Sequence, residues 1–174
     1  DINRFDRLTE VTDDGDLKYA EWYYGPQNRF MVSSQYRIKP EKKWMDQGTF
    51  TAAYQNIEES RINRRFNSLD RNSRFEQVDI FSLHGDFTKD LNPDVHRNLG
   101  YGFEISYNDV KSSSRGEVLD VDGNQVIGVK DTYIVQTRYP DGGSSYMSSA
   151  AYASYRQDIG KKSTLNTGVR LTNT

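Results

Sequence analysis

Leu99-Gly100-Tyr101-Gly102-Phe103-Glu104-Ile105-Ser106-Tyr107 carries apolar or aromatic side chains at 99, 101, 103, 105 and 107, with Gly, Gly, Glu and Ser between them. A period of two is the signature of an extended strand whose successive side chains point to opposite faces. One face of this strand is therefore apolar and the other polar. The pattern returns near residues 30–38, 49–57, 79–88, 146–157 and 164–172. The repeating unit is thus an amphipathic strand of about ten residues, the length that crosses a bilayer obliquely. Strands of this kind build either a half-solvated sheet or the wall of a membrane barrel.

Composition narrows that choice. The 174 residues suit one domain, but the apolar fraction is 34% and the mean hydropathy is -0.87, too polar for a generous two-layer core. Aromatics make up 13% of the chain, with 12 Tyr against 8 Phe and 2 Trp. Tyrosine suits positions that are apolar at the ring and wet at the hydroxyl, as at a membrane interface. A balance of 23 basic against 25 acidic residues, with no basic stripe, argues against a nucleic-acid partner. The absence of cysteine removes disulfides, thiolate metal sites and a cysteine nucleophile. No apolar run reaches the length of a membrane-spanning helix and no signal-peptide pattern opens the chain, but that test does not detect barrel strands.

Turn chemistry divides the chain into strands near 29–38, 48–65, 73–89, 98–109, 144–158 and 163–174. Residues 1–28, rich in Asp, Gly and aromatics, are expected to form a long loop with at most a short strand. Residues 110–143 are expected to form a second long loop containing a small hairpin about Gly123, where Val118 and Val129 face each other. Short connections at 39–47, 88–98 and 159–163 alternate with long ones at 1–28, 58–78 and 109–143. Short turns at one end and long loops at the other characterise outer-membrane barrels.

Specific stretches then suggest a family. Arg4-Phe5-Asp6-Arg7-Leu8-Thr9-Glu10, Tyr19-Ala20-Glu21-Trp22-Tyr23-Tyr24-Gly25-Pro26-Gln27, Ala53-Tyr54-Gln55-Asn56-Ile57-Glu58-Glu59-Ser60-Arg61 and Thr137-Arg138-Tyr139-Pro140-Asp141 resemble the barrel of TonB-dependent outer-membrane receptors of the Bacteroidetes type, and Leu165-Asn166-Thr167-Gly168-Val169-Arg170 fits the same pattern. The resemblance implies an all-β fold: a partial antiparallel transmembrane β-barrel, about six strands of a barrel of about 22, with long extracellular loops. It implies a place in the bacterial outer membrane and active import of a scarce nutrient with energy passed through TonB. The chain lacks a TonB box and a plug domain and ends on an upward strand without a terminal aromatic, so it is expected to be an internal barrel segment. Its implied partners are outer-membrane lipid and lipopolysaccharide, the remaining barrel strands and plug, the TonB complex through that plug, and a surface lipoprotein. No cofactor is implied.

Several constellations have a chemical and a plain reading. Asp120, Asp122 and Asn124 begin like a calcium loop, but the twelfth position is Asp131, not Glu; a hairpin turn explains them equally. Asp13, Asp14, Asp16 and Glu21 form a similar acidic group. Glu58, Glu59, Arg61, Arg64 and Arg65 are expected to face Arg71, Arg74, Glu76 and Asp79 across a hairpin as a charge ladder. His84 and His96 fall on a strand face and in a short turn, too far apart to share a metal. No Gly-x-Ser-x-Gly elbow is present, so no enzyme activity is expected.

Ligand contact is expected from the aromatic group Trp22, Tyr23 and Tyr24, suited to stacking on a sugar or an aromatic chelate, and from the lumen-facing Glu104, Asn108, Asn166 and Arg170. The ligand is left open among iron chelate, haem, cobalamin, glycan and peptide. The competing expectation is a soluble or cell-surface β-sandwich acting in adhesion or carbohydrate binding. It would bury its apolar faces against each other, whereas a bilayer aligns them in a band about 25 Å tall.

Overall fold

The computed structural model describes residues 2–40, 44–123, 125–139 and 142–174. Part of the 39–47 turn, Asn124 of the acidic hairpin tip, and Pro140 and Asp141 of the 137–141 stretch lie outside the described residues. The fold is all-β and antiparallel. Its strands are β1 (Ile2–Asn3), β2 (Tyr19–Tyr24), β3 (Asn28–Ile38), β4 (Gln47–Arg65), β5 (Asp70–Asn92), β6 (Arg97–Asp122), β7 (Gln125–Tyr133), β8 (Gly143–Ile159) and β9 (Ser163–Asn173). One helical turn, α1 (Phe5–Leu8), and a 3-10 turn at Pro93–Val95 are the helical elements among the described residues.

The strands hydrogen-bond in the order β1-β2-β4-β5-β6-β8-β9, with β3 also on β4 and β7 also on β6. The sheet does not close. Strands expected to stop in polar stretches run on. β6 continues to Asp122 and returns as β7, pairing Gly116 with Tyr133, Leu119 with Val129 and Asp122 with Gln125. The stretch 110–143 is therefore mostly a long hairpin, not a loop. Gly116 makes room for it, because the Tyr133 ring lies where a side chain would stand. Residues 19–24 likewise form a strand, with Tyr24 opposite Arg61 and Tyr23 opposite Ile62. Polar residues sustain these extensions because each cross-strand row supplies its own charged or hydrogen-bonded partner.

The chain divides into two units. The first comprises Asp1–Phe30, Asn56–Asp79 and Asp109–Ser144. It buries Ile62 and Leu119 but also Ser60, Ser73, Ser112 and Glu117, so its interior is mixed. A row of charges crosses four of its strands: Arg64 donates to Glu21 at 2.7 Å, Arg71 lies 4.0 Å from Glu21 and donates to Glu117 at 2.7 and 2.9 Å, and Arg115 approaches Glu117 at 3.3 Å. The expected ladder exists with different rungs. Arg64 and Arg71 take their partners from β2 and β6, not from each other's strand, because three or four strands stand side by side where a lone hairpin offered only two.

The second unit comprises Met31–Gln55, Ile80–Asn108 and Ser145–Thr174. Here rings replace charges. Phe87 has Trp44, Phe50, Tyr101 and Phe103 at centroid distances of 5.8, 5.4, 5.4 and 6.4 Å, the separations at which aromatic pairs attract. The Tyr101 hydroxyl donates to the Trp44 carbonyl at 2.5 Å. Asp46 fastens the turn before β4: its carboxylate accepts from Lys89 Nζ at 2.6 Å and from the Asp90 amide at 2.7 Å. Large apolar side chains nonetheless stay open on this unit, among them Phe81, Leu83, Ile105, Tyr107, Val169 and Leu171. β9 is exposed along all eleven residues and pairs with β8 alone among the described strands.

Candidate functional site

The polar face of the second unit is assembled by strand alternation. β6 presents Gly100, Gly102 and Glu104 at alternate positions, and the β8–β9 register sets Tyr152 opposite Arg170 and Ser154 opposite Gly168. Directly opposed residues of an antiparallel pair share a face. Gly102 decides what can cross that face: a Cβ there would meet the Tyr152 hydroxyl oxygen at 2.5 Å. Glycine lets Tyr152 reach over β6, and its hydroxyl donates to Asp86 on β5. Arg170 donates to Glu104, and His84 Nδ1 lies 4.0 Å from the other Glu104 oxygen.

Four strands thus bring His84, Asp86, Glu104, Tyr152 and Arg170 together. Glu104 and Arg170, both expected on this face, are joined directly. Asp86 and Tyr152 were not anticipated; the signal was present in Gly102, a missing side chain in the middle of a strand, which marks a close approach. Asn108 is buried, and its amide donates to Ser106 at 3.2 Å; it takes no part in this group. Asn166 pairs with Arg156 nearer the β8–β9 turn. The Glu104 and Arg170 side chains are 36% and 48% exposed, so solvent screens their pair and it adds little to folding. What it offers instead is a charged donor and acceptor that a polar ligand can engage.

The aromatic group lies in the first unit. Trp22 and Tyr24 meet edge to face at 5.4 Å. Two guanidinium groups lie over them: Arg4 at 5.5 and 5.8 Å and Arg61 at 5.6 and 5.3 Å from the Trp22 and Tyr24 rings. Asp6 holds Arg4 through two bonds of 2.8 and 2.7 Å. These rings are therefore engaged by cations. Tyr23 has the opposite parity on β2 and does not join them. Glu21, one of the acidic candidates for calcium, is bound to Arg64 and Arg71. Among the described residues no three His, Cys, Asp or Glu side chains are grouped to hold a metal ion.

Two titrations in the first unit have clear physical causes. Burial pulls the Arg71 guanidinium down, but its hydrogen bonds and charge interaction with Glu117, aided by Glu21, outweigh that and hold it above its ordinary value. The Lys18 ammonium, bonded to Glu10 at 2.5 Å, holds the Glu10 carboxyl below its usual range, with Arg7 adding to the effect. Compared with known proteins, the chain matches no family model, and no curated protein or solved structure matches it.

Proposed function

We propose that this chain is a segment of the β-barrel of an outer-membrane receptor that binds and imports a scarce nutrient, of the TonB-dependent kind that its sequence resembles. The observation that carries the proposal is the sorting of faces in the second unit. One face bears an open row of large apolar side chains, and the other bears the Glu104–Arg170 group. Val32, Ala52, Tyr54, Phe81, Leu83, Ile105 and Tyr107 line one shallow apolar groove on the former. Lipid tails solvate such a face, and a water-filled lumen solvates its opposite.

The sheet's open edges fit a part of a larger barrel, since an unpaired edge is costly in lipid. Nutrient contact falls to Glu104, Arg170, His84 and Tyr152, and the assignment includes no catalytic step. A β-sandwich for adhesion or carbohydrate binding would bury apolar faces against each other. Among the described residues the buried apolar side chains are Met45, Ile62, Phe87, Leu119 and Ala150, far fewer than those left open.

Solubility, β-sheet circular dichroism and dispersity of the 174-residue chain in plain buffer and in detergent micelles test the proposal. Aggregation in buffer with ordered sheet in micelles is the expected result. A monomer that melts cooperatively in plain buffer overturns it.

A further inference from the structure

Two rows of side chains run across β3, β4, β5 and β6 in the first unit. The Asn56 amide donates to Asp79 at 2.8 Å, and stepping by two along each antiparallel strand puts Glu58 beside Gln77 and Ser60 beside Phe75. The bond from Arg71 to Glu117 at 2.7 Å sets β5 on β6 in the same way, so Phe75 stands beside Ser113 and Gln77 beside Lys111. Asn28 donates to Glu58 at 3.2 Å and carries that row onto β3. One face therefore bears the row Asn28, Glu58, Gln77, Lys111 and, next to it, the row Pro26, Ser60, Phe75, Ser113.

Both rows line one cavity of about 390 Å³, within the range of small-molecule sites, ~300–1,000 Å³. Glu59, Glu76 and Ser112 alternate with them along the strands and turn to the other face, so they contribute backbone alone. Ser60, 6% exposed, lies at the bottom of the cavity, and Phe75, 46% exposed, keeps its ring open. The charges are largely spoken for. Lys111 lies 3.7 and 3.8 Å from Asp79 and Asp109, and Gln77 donates to Asp79 at 3.4 Å.

Two carboxamides, a carboxylate, an ammonium and a hydroxyl thus offer donors and acceptors side by side, about 4.8 Å apart from strand to strand. A single charged group on a ligand would engage one of them. A molecule with hydroxyl groups spread along its length, each donating and accepting, engages the whole row. The open Phe75 ring beside the row suits the C–H face of a sugar, which is the apolar surface its hydroxyls leave bare. Four strands span ~14 Å, longer than one sugar ring.

We infer that this cavity binds a short neutral oligosaccharide lying across the strands, with Phe75 stacked on one ring and Asn28, Glu58, Gln77 and Lys111 bonded to its hydroxyl groups. The site shares no residue with the Glu104–Arg170 group, and the binding does not rest on the receptor assignment.

Calorimetric titration of the full chain tests the inference, in plain buffer or in micelles of a detergent without a sugar headgroup, whichever gives ordered sheet. The probes are maltotriose, cellotriose and triacetylchitotriose. Deacetylated chitotriose carries the same frame with ammonium groups, and tetraethylene glycol is a flexible chain of oxygens without rings. The expected result is that at least one neutral sugar binds with Kd below about 1 mM. Phe75→Ala should weaken that binding about fivefold or more, and Phe75→Tyr, which keeps the ring, by less than about twofold. Glu58→Gln should weaken it about tenfold. Ser113→Trp, a bulky side chain at an exposed position, should fill the cavity and abolish binding with an unchanged circular dichroism spectrum. Binding of the deacetylated sugar alone, equal binding of the glycol, no binding of any neutral sugar, or full affinity in Phe75→Ala, Glu58→Gln or Ser113→Trp overturns the inference. A cooperatively melting monomer in plain buffer would overturn the receptor assignment alone, so the two failures are separable.

Discussion

In the first unit the row that crosses neighbouring strands is made of charges, Arg64, Glu21, Arg71, Glu117 and Arg115. In the second it is made of rings, Trp44, Phe50, Phe87, Tyr101 and Phe103. β4, β5 and β6 each supply residues to both units, so the backbone is the same and the side chains alone differ. Hydrogen-bonded strands tolerate either row, because the ladder satisfies the backbone regardless of what the side chains face. On the receptor reading proposed above, the side chains report the solvent of each region: water beside the charges, hydrocarbon beside the open apolar row of the second unit.

The largest effect expected from this contrast comes from placing a charge on each region's open apolar surface. Phe81→Arg in the second unit should cost ~2–4 kcal/mol if the side chain lies in the bilayer's apolar band, read as lost sheet in micelles under increasing denaturant. Ile127→Arg, a residue 63% exposed on β7 of the first unit, should change stability by less than ~0.5 kcal/mol. Equal costs would break the comparison.

Removing one partner from each ion pair sharpens it. Glu117→Gln leaves the half-buried Arg71 with only the more distant Glu21 as counter-charge and should cost ~1–3 kcal/mol. Glu104→Gln, in the more open pair with Arg170, should cost less than ~1 kcal/mol while weakening any polar ligand on that face. Denaturation midpoints of the two variants decide the order.

The tryptophans, Trp22 in one unit and Trp44 in the other, allow the comparison to be made by emission and not by stability. In vesicles containing brominated lipid, the Trp22→Phe protein, reporting through Trp44, should be quenched, because aromatic residues at the ends of barrel strands settle at the headgroup level. The Trp44→Phe protein should not be. Equal emission from both would place the two units in the same solvent.

The smallest effect concerns pH. Lys89, chiefly, and the Asp90 amide hold the Asp46 carboxyl below its ordinary range. Its contribution is present above the ordinary carboxylate pKa and is lost as pH falls through the lowered folded value. Asp46→Asn should therefore show a shallower fall in melting temperature between about pH 6 and about pH 3.

Much of the strand layout was legible because alternation is local: each amphipathic run announces its own face without knowledge of its neighbours. The pairing of Glu104 with Arg170 was half legible, since both have the polar parity of their strands, but register brings them together and register depends on turns. The ion-pair partners were not legible. Arg71 sits 46 residues from Glu117 and Arg64 sits 43 from Glu21, separations that only strand order closes. The covered state of Trp22 and Tyr24 was hidden likewise, since Arg61 reaches them from β4. Gly102 was legible as a glycine in a strand, and its purpose became clear only with Tyr152 above it.

That glycine has a mechanical consequence. Tyr152 stands on β8, passes over Gly102 of β6 and fastens to Asp86 of β5, so it stitches three strands with one side chain. β9 pairs with β8 alone among the described strands. When the chain is pulled from the end that carries β9, that strand peels first, one hydrogen-bonded rung at a time. At β8 the pull is shared with β5 through the Tyr152–Asp86 bond, which bypasses the strand between them.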